Sequence, residues 1–310
     1  MRIKHLKAKN IYSHGSDLNM SINEQENIIL IRQPNDENYF IPFTPDFLEI
    51  VDCLLFNDSY TYVKNMLSNQ SLIECTLERK GAEYTFGIKG NCSKKTKDGY
   101  VRMRSVLDWY CIVPEKELQD QNGGWLGAQL SCASQEYFYP EELREFTRFR
   151  KDTYADSPTD FIHWGRFSEL KRTAKYNELH VDLEKKLQAI LNECSEIRLD
   201  ERLSVRLNED KEYVLYCYGE EVTAQEDLGL INFCGWINNL NILKRLYEFV
   251  GEESDFPIFI ESDFDSDLGQ YKDVLIKKLR ETGRQVFIVS QKRDEGLEKL
   301  CDKAIEIKQS

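Results

Sequence analysis

Phe256-Pro257-Ile258-Phe259-Ile260, running into Glu261-Ser262-Asp263-Phe264-Asp265-Ser266-Asp267, is the stretch that decides the fold. A short continuous apolar run that stops at a carboxylate cluster reads as a strand covered on both faces. Strands of that kind belong to parallel sheets flanked by helices. The neighbouring segments agree. Residues 268–282 carry a helical pattern, Gln285–Val289 is a second continuous apolar run, 294–300 reads as a short helix and Ala304–Ile307 as a last strand. Upstream, strand candidates at 203–208 and 212–218 precede a long apolar helix over 226–250.

The N-terminal third repeats the theme. Residues 3–9 and 18–22 alternate apolar and polar, and Asn27–Ile31 is another short apolar run. Pro45-Asp46 opens a helix with Phe47, Ile50, Val51, Leu54 and Leu55 on one face. Residues 71–88 read as a hairpin turning at Lys80-Gly81. In the middle, a basic loop (89–104) leads to a strand candidate at Tyr110–Val113, and another lies near Gln129–Cys132. Pro140 starts a charged helix through Arg150. The longest helix is expected from Ser168 to Ile197.

Composition narrows the class. With 41% hydrophobic and 12% aromatic residues, the 310-residue chain can bury a core, which excludes intrinsic disorder. A formal charge of −13 excludes a wholly basic nucleic-acid coat but leaves room for a local basic patch. The nine cysteines contain no C-x-x-C pair and the histidines number four, so neither a zinc site nor a disulfide framework is expected. No apolar run reaches the ~18 residues of a membrane span, and no signal-peptide pattern opens the chain. The expectation is a reduced, soluble, cytoplasmic protein that does not engage a membrane.

In order, these pieces resemble the head of the RecF/SMC branch of ABC-type ATPases. Ile3–Ser13 is similar to the family's opening strand and turn. Asn27–Ile31 with Pro34-Asn35 falls where the strand and phosphate loop stand, and Phe47–Phe56 looks like the following helix. Val222-Thr223-Ala224-Gln225-Glu226 takes the place of the signature motif. Phe256–Ile260 and Glu261–Ser266 resemble the Walker B strand and D-loop, and Gln285–Val289 the switch strand. The resemblance covers roughly 1–90 and 200–310. It implies an α/β, ABC-ATPase-like (P-loop NTPase) head with a mostly parallel sheet, an antiparallel β lobe and a small helical insertion. The expected division is an N-terminal ATPase-like lobe (1–90), an inserted lobe and helical lid (91–200) and a C-terminal ATPase-like lobe (201–310).

The chemistry that goes with the family does not carry over. A phosphate loop needs glycines so that successive backbone N–H groups face one anion, a Lys for the β/γ-phosphates and a Ser/Thr for Mg²⁺. Aligned here, positions 33–40 read Gln33, Pro34, Asn35, Asp36, Glu37, Asn38, Tyr39 and Phe40. The lysine is Tyr39 and the hydroxyl is Phe40. Asp36 and Glu37 add negative charge, and a like-charge pair ~4 Å apart near a protein surface costs ~4 kcal/mol before screening. The Walker B carboxylate falls on Glu261, the catalytic glutamate on Ser262, the signature glycine on Gln225 between Thr223 and Glu226, and the switch histidine on Gln291. No cofactor, metal or catalytic residue is therefore expected.

Other candidates are weighed alongside. Lys94, Lys95, Lys97, Arg102 and Arg104, with Lys89, form a basic stretch broken by Asp98. The readings are a DNA-facing surface, which the resemblance implies, or a solubilising hairpin tip. Arg144, Arg148, Arg150 and Lys151 read as an amphipathic helix face. Glu261, Asp263, Asp265 and Asp267 offer a divalent-metal site for a hydrolase, against an ordinary acidic helix start. The resemblance implies a catalytically inactive head that binds a protein partner or a second copy. DNA contact would be weak, and the setting would be bacterial or phage DNA repair, maintenance or defence. The rival is an ATPase completed by a partner subunit. Tyr39 and Phe40 then either form an aromatic protein-binding face or fill the space that phosphates would occupy.

Overall fold

In the computed structural model of the chain the structure describes residues 1–9, 18–32, 72–79, 81–97, 100–112, 148–149, 185–193, 196–222, 228–250, 255–261, 268–290 and 293–307. The expected elements at 45–56 and 113–147 lie outside these residues. The chain divides into two compact units. One comprises Met1–Glu141, Val289–Arg293 and Asp302–Ser310, the other Glu142–Ile288 and Asp294–Cys301.

The first unit is built on an antiparallel sheet of five strands, β1 (Arg2–Lys9), β2 (Leu18–Ser21), β4 (Leu72–Arg79), β5 (Ala82–Lys97) and β6 (Tyr100–Ile112), in the order β2-β1-β4-β5-β6. Alternation decides which face is inside: Ile73, Cys75 and Leu77 pair with Ile88, Phe86 and Tyr84, and all six are buried. A register shift between Ile3 and His5 frees Lys4 to reach the carboxylates of Glu24 and Glu78. The β4–β5 turn uses Gly81 at φ 75°, a conformation that suits glycine. The same unit holds β3 (Ile28–Arg32) and β14 (Lys303–Glu306), a parallel pair joining the two ends of the sequence. The Asp302 carboxylate accepts from the N–H groups of Asn27 and Ile28 at 2.9 and 2.8 Å, and Lys303 Nζ donates to Glu26.

Two expectations change here. Residues 89–97 and 100–104 are not a loop. They are the distal halves of β5 and β6, paired without interruption from Thr85↔Ile112 to Lys97↔Tyr100. The strand expected at Tyr110–Val113 therefore begins ten residues earlier, at Tyr100.

The second unit contains a four-stranded antiparallel sheet, order β11-β10-β9-β8, from β8 (Glu196–Arg198), β9 (Leu203–Leu207), β10 (Tyr213–Cys217) and β11 (Glu220–Val222). Helix α1 spans 185–193, so the long helix expected to reach Ile197 ends earlier and Ile197 is a buried residue of β8. Helix α2 (Leu228–Val250) is buried on every side between 233 and 240, as its apolar sequence requires. Its two buried asparagines are satisfied by one phenol: Tyr213 Oη donates to Asn239 Oδ1 at 2.7 Å and accepts from Asn238 Nδ2 at 3.1 Å.

Strand β12 (Ile258–Glu261) leads through a 3₁₀ turn (Gly269–Tyr271) and helix α3 (Lys272–Glu281) to β13 (Val286–Ser290), a crossover of the βαβ kind. Gln285 O accepts from Ile258 N–H at 2.8 Å, so the two strands start side by side. The strand interiors are sealed, with Phe259 and Phe287 stacked at 5.2 Å. On its other side β12 pairs in parallel with β7 (Arg148–Phe149). These two residues were expected to end a helix; Phe149 is instead a buried strand residue against Phe233 at 4.7 Å and Trp236 at 5.3 Å. Helix α4 (Glu295–Leu300) follows β13, with Asp294 as its N-cap. Parallel pairing thus holds for β14–β3 and β12–β7, while two further sheets are antiparallel throughout, which is more antiparallel structure than the sequence pattern implied.

Candidate functional site

Burial sets the positions of the residues that the sequence resemblance singles out. Ile28–Ile31 of β3 are fully enclosed, and the strand ends at Arg32, directly before residues 33–40 of the sequence. In the second unit the three residues of β12 before Glu261 are at most 1% exposed. Glu261 is half-buried at the carboxyl end of that parallel strand, where α/β folds present their chemistry. Val222 ends β11, and α2 begins at Leu228, so the signature-like residues fall between a strand and a helix. Gln291 follows the last residue of β13, Ser290. Pro34, Asn35, Asn38, Tyr39, Phe40, Thr223, Gln225, Glu226, Ser262 and Gln291 themselves lie outside the described residues, as do Asp263, Asp265 and Asp267.

Around the start of α3 and α4 the polar groups are committed to structure. Asp294 Oδ1 accepts from the N–H groups of Gly296 and Leu297 at 2.8 and 3.0 Å, and Lys272 Nζ lies 2.9 Å from its Oδ2. Burial pulls the Asp294 carboxyl upward, but the Leu297 N–H, the Lys272 ammonium and the Gly296 N–H together hold it below the usual aspartate range. Among the described residues no group of three or more His, Cys, Asp and Glu gathers as a metal site, and no helix is long and apolar enough to cross a membrane. A polar groove of about 400 Å³ runs beside α2, lined in part by Glu193, Glu196, Lys244, Arg245, Lys278 and Glu281. Its cations are spoken for: Arg245 by Glu193, Lys278 by Glu281, and Lys244 by the Thr282 carbonyl at 3.0 Å.

The basic candidates behave differently. The pairs Lys97↔Tyr100, Lys95↔Arg102 and Ser93↔Arg104 fall on one face of the β5–β6 ladder, whereas Lys94↔Met103 falls on the other. The basic stretch therefore contributes register positions to both faces of the ladder. The signal that finds this arrangement is the dipeptide Asp98-Gly99, a strong two-residue hairpin cue between Lys97 and Tyr100.

No family model matches the chain, and no curated protein does. Among solved structures the chain is similar to an SMC head bound to the C-winged helix domain of ScpA, with TM-score 0.50 and 8% identity over 99% of this chain and 94% of that one. The SMC head domain from Thermotoga maritima gives 0.48 at 12% identity, over 99% and 94%. An SMC head with an extended coiled coil, bound to the C-terminal domain of ScpA derived from Pyrococcus furiosus, gives 0.41 at 9%, over 98% and 92%. At such identity the likeness of the ScpA-bound head speaks to the fold alone: this chain has a fold similar to that of an SMC head.

Proposed function

We propose that this chain is an SMC-head-like ATPase-fold protein that has given up ATP hydrolysis and works as a scaffold for a protein partner or a second copy of itself. The observation that carries the reading is the composition of residues 33–40, directly after the enclosed strand β3. No glycine, lysine or Ser/Thr stands there, and two acids do. Ser262, Gln225 and Gln291 support the same reading at the other nucleotide positions. With Tyr39 and Phe40 in place of the phosphate-binding pair, that edge suits an apolar protein contact better than a polyanion. The setting we assign is DNA repair, maintenance or defence in bacteria or phage.

Titration calorimetry of the purified chain with Mg²⁺-ATP tests this. Millimolar affinity corresponds to only about −4 kcal/mol, and nothing tighter is expected. A micromolar dissociation constant that disappears in Glu261→Ala would restore a nucleotide site and overturn the reading.

A further inference from the structure

The polar groove beside α2 lies entirely within the second unit, since the residues lining it fall between Glu193 and Glu281. Its volume of about 400 Å³ is that of a small-molecule site. Helix α2 forms one wall, where Asn238, Asn241, Arg245 and Glu248 follow one another at three- and four-residue steps. That stripe is about 15 Å long at 1.5 Å per residue. The C-terminal turns of α1 and α3 reach the groove at Glu193 and Glu281, and with them come the negative ends of two helix dipoles. Ile197 of β8 adds an apolar surface.

Within the groove the cations are engaged and part of the acceptor set is not. Arg245 pairs with Glu193, Lys278 with Glu281, and Lys244 Nζ donates to the Thr282 carbonyl. Two carboxylates are left over. Glu196 and Glu248 are exposed, and neither has a partner among the described residues. At the buried end of the stripe Asn238 is only 4% exposed. Its Nδ2 donates to Tyr213 Oη, but its Oδ1 has no partner among the described residues. A buried carbonyl oxygen in a cavity wall calls for a donor. An anion would first have to displace Glu193 or Glu281 from its cation. A ligand carrying ammonium groups meets Glu196, Glu248 and Asn238 Oδ1 without breaking a pair.

We propose that this groove binds a linear polyamine, its ammonium groups held by Glu196, Glu248 and Asn238 Oδ1 and its methylenes lying along Ile197. Ammonium groups separated by methylenes suit acceptors carried on two elements, β8 and α2. A divalent metal ion suits them less, because no group of three or more His, Cys, Asp and Glu gathers among the described residues. A single ammonium, such as a partner's lysine side chain, would use only part of the stripe. The proposal goes beyond the scaffold reading and stands or falls separately from it.

Calorimetric titration of the whole chain with spermidine, a linear triamine, tests this at low and physiological salt, with butylamine and Mg²⁺ as comparisons. At low salt a dissociation constant well below millimolar is expected for spermidine. Glu196→Gln with Glu248→Gln is expected to raise it at least ~10-fold. Glu220→Gln with Glu221→Gln removes the same charge from β11, at the opposite edge of the sheet from β8, and is expected to change it less than ~2-fold. Asn238→Ala is expected to cost about 10-fold. Because that residue is buried, a melt followed by circular dichroism checks its folding, and the exposed Glu196 and Glu248 pair decides if it unfolds. Absence of spermidine binding, or butylamine or Mg²⁺ bound as tightly, overturns the proposal. So does an equal loss in the Glu220 and Glu221 variant, which would mean that spermidine only samples the chain's −13 charge.

Discussion

Strand β12 and the distal half of β5 are both regular strands, but different forces hold them. Ile258, Phe259 and Ile260 are at most 1% exposed, enclosed between β13 and β7, and their contribution is apolar burial. From Gly90 to Lys97, β5 has one described neighbour and a sequence of Gly, Asn, Cys, Ser, Thr and Lys with little to bury. There the backbone ladder does most of the holding. Substitutions in the core region should therefore cost more stability than substitutions in this β5–β6 ribbon.

The largest effect is expected at the centre of the buried region. Phe233 of α2 is fully enclosed and packs edge-on against Phe149 of β7. Phe233→Ala removes an aromatic side chain and leaves a cavity, for a loss of about 3–5 kcal/mol. Denaturant unfolding would register this as a shifted midpoint with the slope unchanged. A loss below ~1 kcal/mol would show that the site collapses to fill the void, and the contrast with the ribbon would fail.

The same contrast explains what could be read from sequence. β12, β13 and α2 announce themselves because strands and helices buried all round need continuous apolar runs. The ribbon does not. Its alternation sets Lys and Arg against Thr, Met and Val, and the basic residues masked a period of two as a charged loop. Arg148 and Phe149 were misplaced for another reason. A two-residue strand has no periodicity of its own, and its conformation is set by pairing with Phe259 and Ile260. Ile197 continued the helical spacing of Leu183, Leu187 and Ile190 by coincidence, and a buried strand position needs the same apolar residue. As for the candidate site, its departures from a phosphate loop are plain in residue types alone, and of its positions Glu261 lies among the described residues.

An intermediate effect is expected at Asp294, where structure is held by polar rather than apolar contacts. Asp294→Ala deletes the cap of α4 and the partner of Lys272, at a cost of about 1–2 kcal/mol near neutral pH. The sign with pH follows from the depressed carboxyl. Its stabilisation is full above the unfolded value of about 3.9 and fades as pH falls through the lower folded value. Thermal melts of the parent and Asp294→Ala should therefore begin to converge as pH falls below about 4. Equal separation at pH 7 and pH 3 would mean that the cap, rather than the charge, accounts for the whole difference.

The smallest effect is the most discriminating, because it tests whether the ribbon gives up stability for its charge. Lys95 and Arg102 face each other in the ladder, and opposed like charges in a sheet are destabilising by ~0.2–1 kcal/mol relative to a neutral pair. Lys95→Glu alone converts the pair to opposite charges, so the melting temperature should rise slightly. Adding Arg102→Glu restores a like-charge pair and should return the melting temperature towards the parent value. Differential scanning calorimetry of the parent and the two variants reads the shifts. If instead the single reversal lowers the melting temperature, Lys95 supports the fold, and the ribbon becomes an ordinary piece of sheet like β12.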